Sequence, residues 1–280
     1  MSPDAHRRAL LMLIGCGVLW STGGVLIKLV AWHPLAIWSV RSAIAAAALY
    51  AIRRPSLRGI TGSEWGAAAA LAATTGGFIV ANKLTTAANA ILIQYSAPVW
   101  VALLGAWLLN ERATRIDWLA ILAVLAGIAL FFVGQLTLSH VAGNLVALGT
   151  GVVFALNTLM LRKVALRPEL DPLRSIVLGN ILGAVIGAPF CFLSTPPPDA
   201  TGFAALLALG LVQQAGAYLC YVAAVRHATA VELILIPIIE PILSPLLVAL
   251  AVGELPGGWA LVGGTIVVAA VTARALVERR

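Results

Sequence analysis

Long apolar stretches recur along the whole chain, and each is about as long as a helix that crosses a membrane. A transmembrane helix needs ~20 mostly apolar residues to span the hydrocarbon of a bilayer. Short segments containing Pro, Gly or charged residues separate the stretches, and none has room for a soluble domain. The pattern predicts an all-α integral membrane protein with ten transmembrane helices, at residues 9–31, 34–53, 65–82, 86–109, 116–136, 143–162, 173–192, 203–225, 229–251 and 258–276.

The composition supports lipid as the main solvent of this chain. Apolar residues make up 61% of it and charged residues 10%, whereas a soluble domain carries roughly 25% charged residues. That is too little charge to cover a water-facing surface. The three cysteines fall inside apolar stretches, so we interpret them as small core residues and not as a disulfide or metal framework.

The cations are distributed unevenly between the two sets of loops. If the N-terminus is cytoplasmic, the cytoplasmic ends and loops hold all of the 18 Lys and Arg residues except Lys28, Arg41 and Lys83. Cytoplasmic loops of membrane proteins carry such an excess. We therefore predict that both termini are cytoplasmic, and the net charge of +7 needs no nucleic acid partner to explain it.

Two pieces of sequence occur twice in the same order. Residues 15–20 resemble residues 149–154, and residues 86–111 resemble residues 229–254. The repeat predicts two related five-helix domains, with the first at residues 1–138 and the second at 139–280. Because five is an odd number, the second domain enters the membrane upside down.

Inverted repeats indicate a transport mechanism. Two similar halves that face opposite ways can exchange conformations, which closes one side of a central cavity and opens the other. This is alternating access, as in secondary transporters. The alternative is that the duplication only produces a stable bundle.

The residues that carry the repeat also carry a resemblance to a known family. The chain resembles, over nearly its whole length, the EamA family of the drug/metabolite transporter superfamily, through Leu19-Trp20 with Lys28, Arg41, the Pro98-to-Glu111 and Pro241-to-Glu254 stretches, and the following Trp118 and Trp259. The resemblance implies ten helices, no cofactor, a bacterial inner (plasma) membrane location, and export of amino acids or related metabolites. Within the family the chain is similar to the YddG-type exporter of aromatic and neutral amino acids.

Glu240 is the single most informative residue. It lies near the middle of the 229–251 span, where a charged side chain costs at least ~2.5 kcal/mol on insertion scales. Such a residue usually faces a bundle interior or a water-filled cavity. Glu240 is a candidate for binding a substrate ammonium group or for carrying a proton, since burial disfavours a charged carboxyl. The alternative is a structural carboxyl that is hydrogen-bonded to neighbouring helices.

Polar and aromatic residues near the middles of other spans complete a candidate solute site. Amides and hydroxyls suit the amino and carboxyl groups of a zwitterion, and aromatic rings suit an apolar side chain. Taken singly, each such residue is as compatible with ordinary interhelical hydrogen bonding. The predicted substrate-binding residues are Trp20, Phe78, Asn82, Gln94, Tyr95, Asn157, Gln214, Tyr218 and Glu240.

Two regular spacings predict how helices pack. Pro237, Pro241 and Pro245 recur every four residues, which predicts a distorted helix beside the transport pathway because each proline removes a backbone hydrogen bond. Glycines recur with the same spacing at 179, 183 and 187 and predict close helix contacts inside one chain. A dimer interface is the alternative for those glycines, and we expect the protein to function as a monomer.

Three other functions compete with amino-acid export as interpretations of the sequence, and the sequence argues against the first two. A membrane enzyme would need a nucleophile or a metal site, but the histidines are scattered at span ends and termini with no metal-ligand spacing. A channel would need rings of charge or a filter-like carbonyl loop, and neither occurs. Efflux of lipophilic cations through Glu240 remains open, as does the choice between proton antiport and uniport.

Overall fold

The described part of the chain is built from helices joined by short loops, with no strand among the described residues. The structure is a computed structural model, and it describes residues 3–85, 87–131, 133–134, 140–193, 196–243, 247 and 258–277. The helices are α1 (Pro3–Ser21), α2 (Gly23–Lys28), α3 (Pro34–Arg53), α4 (Gly62–Leu84), α5 (Ala87–Gln94), α6 (Ala97–Leu108), α7 (Arg115–Phe131), α8 (Val141–Ala165), α9 (Pro172–Leu193), α10 (Ala200–Ala208), α11 (Ala217–Val225), α12 (Ala230–Leu235) and α13 (Gly258–Val277). A π-helical segment, Leu209–Gly216, joins α10 to α11, and a 3-10 segment, Ile236–Ile239, follows α12.

Seven helical stretches among the described residues are long and apolar enough to cross a membrane. They are Asp4–Ile27, Pro34–Arg53, Asn89–Leu108, Val141–Ala165, Pro172–Leu193, Ala200–Val225 and Gly258–Leu276. Helix α4 covers the predicted span 65–82, and α7 covers residues 116–131 of the predicted span 116–136. The predicted span 229–251 lies partly outside the described residues. The chain is therefore a multi-pass membrane protein, and the count of ten helices stays a prediction.

Several spans are interrupted near their middles. The first breaks at Thr22, whose hydroxyl donates to the Leu19 carbonyl at 2.7 Å. Another breaks at Tyr95 and Ser96, between α5 and α6. Pro237 lies in the 3-10 segment, so the helix is distorted where the proline spacing predicts it. Pro245 lies outside the described residues. In lipid, such breaks need polar partners for the backbone groups they release.

Two close helix contacts occur at equivalent positions of the sequence repeats. A Cβ on Gly17 would lie 3.0 Å from the carbonyl oxygen of Pro237, so α1 contacts the 3-10 segment through backbone atoms. A Cβ on Gly151 would lie 2.9 Å from the carbonyl oxygen of Gln94, which joins α8 to the end of α5 in the same way. In the aligned repeats, residue 17 corresponds to 151 and residue 94 to 237. The related sequences therefore make related contacts.

The glycines of α9 are packed inside the chain. A Cβ on Gly179 would lie 2.8 Å from the carbonyl oxygen of Ala68 on α4, and one on Gly187 would lie 2.7 Å from that of Leu35 on α3. Gly183 faces Trp38 and Ser42 of α3. The predicted close packing within one chain is confirmed for this helix face.

Five arginines near the ends of helices or in loops are connected to other elements by hydrogen bonds and ion pairs, and we name this region the basic end. It is defined by Arg58, Arg162, Arg174, Arg226 and Arg274. The side chain or backbone carbonyl of each forms a hydrogen bond or an ion pair with another helix or loop. Arg174 donates to the Arg58 carbonyl at 2.6 Å, and Arg226 donates to the Leu170 carbonyl at 2.6 Å. These bonds fasten the ends of α9 and α11 to neighbouring loops.

Three helices begin at the basic end with reciprocal caps. In each, a threonine side chain accepts the backbone N–H three residues later, and the acidic residue there accepts the threonine's own N–H: Thr61 with Glu64, Thr114 with Asp117, and Thr229 with Glu232. This capping box satisfies helix donors that otherwise lack a partner. The three acids are almost completely buried, so each needs further compensation.

That compensation comes from basic residues of other helices. Arg274 contacts Asp117, and its Nη1 lies 3.8 Å from Glu232 Oε1. His6 Nε2 lies 3.0 Å from the same oxygen. Arg174 Nε lies 3.3 Å from Glu64 Oε1, close enough for an ion pair although not aligned as a hydrogen bond.

A fourth acidic residue, Glu111, connects the loop after α6 to two other elements of the basic end. Arg162 Nε donates to Glu111 Oε1 at 3.0 Å, and Arg162 Nη1 donates to the Val225 carbonyl at 2.7 Å. The other Glu111 oxygen accepts the backbone N–H of Ala230 at 2.9 Å. The pair therefore joins α8 to the first residue of α12.

Candidate functional site

An aromatic group lies where α1, α8 and α11 meet. The ring centroid of Trp20 lies 5.7 Å from that of Tyr218, 6.2 Å from that of Tyr221 and 6.5 Å from that of Phe154. Trp20 and Phe154 occupy equivalent positions in the sequence repeats. The two tyrosines are buried. The structure therefore brings together two predicted residues, Trp20 and Tyr218, and adds Phe154 and Tyr221 to them.

Glu240 and Tyr95 meet across the two repeats. The Tyr95 hydroxyl donates to Glu240 Oε2 at 3.0 Å. Tyr95 stands at the break between α5 and α6, and Glu240 directly follows the 3-10 segment. The α5–α6 break and the 3-10 segment therefore place Tyr95 and Glu240 next to each other. The two residues were predicted from sequence as members of one site.

Cys16 connects the aromatic group to this carboxyl. It is fully buried on α1 and lies within electrostatic range of Tyr95, Tyr218 and Glu240. We name the resulting set the midspan cluster, because most of its members lie near the middles of their spans, with Tyr221 about one turn from the end of α11. Its members are Cys16, Trp20, Tyr95, Phe154, Tyr218, Tyr221 and Glu240.

Arg41 of α3 stands beside the midspan cluster. Arg41 is 8% exposed, and it lies within electrostatic range of Tyr218 and Glu240. Its Nε has no hydrogen-bond partner among the described residues. The predicted binding set omits Arg41. Its position about two turns into an apolar span was the available signal, because intramembrane cations are generally functional or paired.

Three side-chain carbonyl oxygens near the middles of their spans also lack partners among the described residues. They belong to Gln94, Asn157 and Gln213. The large majority of buried side-chain polar atoms in protein structures have a hydrogen-bond partner. Gln94 and Asn157 are in the predicted binding set. A polar solute or ordered water would supply what these oxygens lack.

Three predicted residues are not part of this arrangement. Phe78 packs in a separate apolar group with Ala81, Ala90 and Ala147. Gln214 is buried and donates to Asn180 Oδ1 at 3.1 Å, which joins the π-helical segment to α9. The side chain of Asn82 lies outside what the structure describes.

Other features of the described surface lie away from the midspan cluster. A cavity of about 420 Å³ adjoins Asp4, Arg8 and His227 at the start of α1. An apolar groove of about 630 Å³ runs along α13, with Phe131 and Ile242 in its wall. No group of three His, Cys, Asp or Glu side chains among the described residues is arranged to hold a metal ion.

The sequence profile of the EamA-like transporter family matches residues 7–133 and matches again at residues 141–273. A solved crystal structure of another protein superimposes with a TM-score of 0.83, covering 97% of this chain and 98% of the other at 22% identity. At that identity the likeness shows the fold alone. A search of curated protein sequences finds no match.

Proposed function

The chain belongs to the EamA-like transporter family, and from that premise we propose that it exports neutral, preferably aromatic, amino acids or related small metabolites. The family consists of membrane transporters of the drug/metabolite superfamily. The observation that carries the substrate proposal is the Tyr95–Glu240 hydrogen bond, together with the electrostatic interaction of Glu240 with Tyr218 of the aromatic group. It puts one carboxyl next to rings that can contact an apolar side chain.

The chemistry of the midspan cluster suits an amino acid. The Glu240 carboxylate can accept hydrogen bonds from a substrate ammonium group, and the faces of Trp20 and Tyr218 attract cations and pack against apolar groups. Away from bulk water these interactions are stronger than at a surface. The unpartnered oxygens of Gln94 and Asn157 offer further acceptors.

The proposed mechanism is alternating access by two inverted five-helix halves, residues 1–138 and 139–280, within a ten-helix fold. The related contacts of Gly17 and Gly151 support it, because an exchange of conformations requires equivalent contacts in both halves. Helix α4 packs on α8 as α11 packs on α1, which is the pairing that exchanged halves would give. In this scheme both termini are cytoplasmic, in a bacterial inner membrane, and the chain acts as a monomer.

The basic end is the proposed cytoplasmic gate. The Glu111–Arg162 pair and the acids around Arg274 hold the ends of several spans together. Loading a substrate from the cytoplasm requires some of these contacts to separate. Glu240 is the candidate proton carrier if export is coupled to proton entry, whereas a gradient-driven uniporter would use it for binding only.

Efflux of lipophilic cations is the second candidate function. It is favoured by the same carboxyl, which lies close to aromatic rings. The neighbouring charge of Arg41 opposes it, because a substrate with only positive charge would be repelled by the guanidinium.

Uptake into liposomes that contain the purified protein tests the proposal. We expect saturable uptake of radiolabelled phenylalanine, weaker uptake of threonine and methionine, and none in protein-free liposomes. Uptake that needs no proton gradient would identify a uniporter. Uptake that needs one would identify coupling and make Glu240 the first residue to substitute. If none of the three amino acids enters, the amino-acid assignment is wrong, and a lipophilic cation is the next substrate to assay.

A further inference from the structure

We propose that Arg41 binds the carboxylate of the substrate, so that the site recognises a zwitterion between Arg41 and Glu240. This inference rests on the proposed function, because it assigns the second charged group of the same site. It goes further by requiring both charges on one substrate molecule.

The first support is that Arg41 is buried without the partners that other buried arginines of this chain have. Arg162 donates to Glu111 and to the Val225 carbonyl. Arg274 contacts both Asp117 and Glu232. In contrast, Arg41 Nε has no hydrogen-bond partner among the described residues. A guanidinium has five N–H donors and cannot lose its charge in a protein, so this one needs an acceptor that the described side chains do not supply.

The second support is that the backbone around Arg41 is held in place. A Cβ on Gly210 would lie 3.2 Å from the Arg41 carbonyl oxygen, so the π-helical segment contacts α3 directly at this residue. On another side of α3, the Ser39 hydroxyl donates to the Ala184 carbonyl of α9 at 2.7 Å. π-helical turns occur frequently at functional sites. Arg41 is thus presented from a fixed backbone, which favours binding because less motion is lost.

The third support is the charge balance of the site. Arg41 lies within electrostatic range of Glu240, and Tyr218 lies within range of both. When Glu240 is ionised, one positive and one negative group leave the site neutral as a whole. A zwitterion adds a carboxylate near Arg41 and an ammonium near Glu240. A substrate with a single charge of either sign would face repulsion from one of these residues.

Substrate analogues test the inference in the unaltered protein. Phenylalaninamide and phenylalaninol keep the ring and the ammonium group of phenylalanine but lack its carboxylate. We expect each to compete with labelled phenylalanine in proteoliposomes at least about tenfold more weakly than phenylalanine itself, as for loss of a charge-assisted hydrogen bond. Equal competition by the amide would overturn the inference.

Substitution of Arg41 tests it from the protein's side. In Arg41→Gln we expect the apparent KM for phenylalanine to rise at least about tenfold, while competition by phenylalaninamide stays the same or becomes stronger because the repelling charge is gone. Arg41→Lys restores the charge and should recover part of the lost affinity. Arg53→Gln is the matched control, since Arg53 is an exposed residue at the end of the same helix.

The outcomes separate this inference from the proposed function. If the unaltered protein takes up no amino acid, both are wrong. If it takes up phenylalanine but Arg41→Gln keeps the same KM, the amino-acid assignment stands and the role of Arg41 is wrong. If Arg41→Gln does not fold, the test is the increase in unfolding temperature that each ligand gives to the unaltered protein. We expect a larger increase with phenylalanine than with phenylalaninamide, and equal increases would overturn the inference.

Discussion

The basic end and the midspan cluster both contain buried charges, but they treat those charges differently. At the basic end Asp117 and Glu232 each cap a helix and also contact Arg274. Beside the midspan cluster Arg41 Nε lacks a hydrogen-bond partner among the described residues. Buried charges are tolerated when they are paired and hydrogen-bonded. The difference therefore separates charges that hold helices together from the charges that we propose bind a solute.

The largest effect should come from breaking a fully paired charge at the basic end. Asp117→Ala removes a helix cap and takes away a carboxylate that contacts the buried Arg274. Breaking a buried ion pair from one side costs about 3–5 kcal/mol. We expect a large drop in the unfolding temperature of the detergent-purified protein, while Glu169→Ala, at an exposed acid between α8 and α9, should change it little. Equal unfolding temperatures for the two variants would contradict the structural role of this end.

In contrast to Asp117→Ala, Glu240→Gln should change the apparent KM and leave the unfolding temperature almost unaltered. The amide keeps the shape and an acceptor for the Tyr95 hydroxyl but removes the charge that an ammonium group needs. We expect the apparent KM for phenylalanine to rise about ten- to hundredfold, with an unfolding temperature close to that of the parent protein. A variant that loses stability as Asp117→Ala does, but keeps its KM, would make Glu240 a structural residue.

Weakening the Glu111–Arg162 pair should open the basic end without unfolding the protein. Cys16 is fully buried in the midspan cluster, so its rate of maleimide labelling reports access to that region. In a background with Cys191→Ser and Cys220→Ser, Glu111→Gln should raise this rate up to about tenfold, as for loss of one charge-assisted hydrogen bond. The same background with Glu169→Gln is the control. An unchanged rate would mean that the pair does not limit opening.

The smallest effect should come from Tyr95→Phe. It removes the hydroxyl that donates to Glu240 and keeps the ring. A single hydrogen bond contributes about 1 kcal/mol, or about fivefold, so we expect a change of that size in the KM for phenylalanine. Tyr50→Phe is the matched control, because Tyr50 is an exposed tyrosine of α3. A loss as large as that of Glu240→Gln would mean that Tyr95 contacts the substrate itself.

Part of the candidate site could be predicted because lipid makes polar residues conspicuous. Glu240 and Tyr95 were predicted as members of one site, and the structure joins them by a hydrogen bond. Gln214 was predicted by the same reasoning, yet it pairs with Asn180 on α9. A polar residue in an apolar span requires a hydrogen-bond partner. The sequence of that span does not show whether the partner is a residue of another helix or a solute.

The sequence by itself determined that this is a membrane protein, that it contains an internal repeat and that it belongs to its family. The lengths of apolar stretches, the positions of charged residues and the duplicated motifs are all properties of the linear chain. The tertiary structure decided which polar groups are already satisfied. It paired Arg162 with Glu111 and Arg274 with Asp117, residues far apart in sequence, and it left Arg41 with an unpartnered donor. Hydrogen-bond satisfaction depends on distances and angles between helices, and those are fixed only when the helices pack.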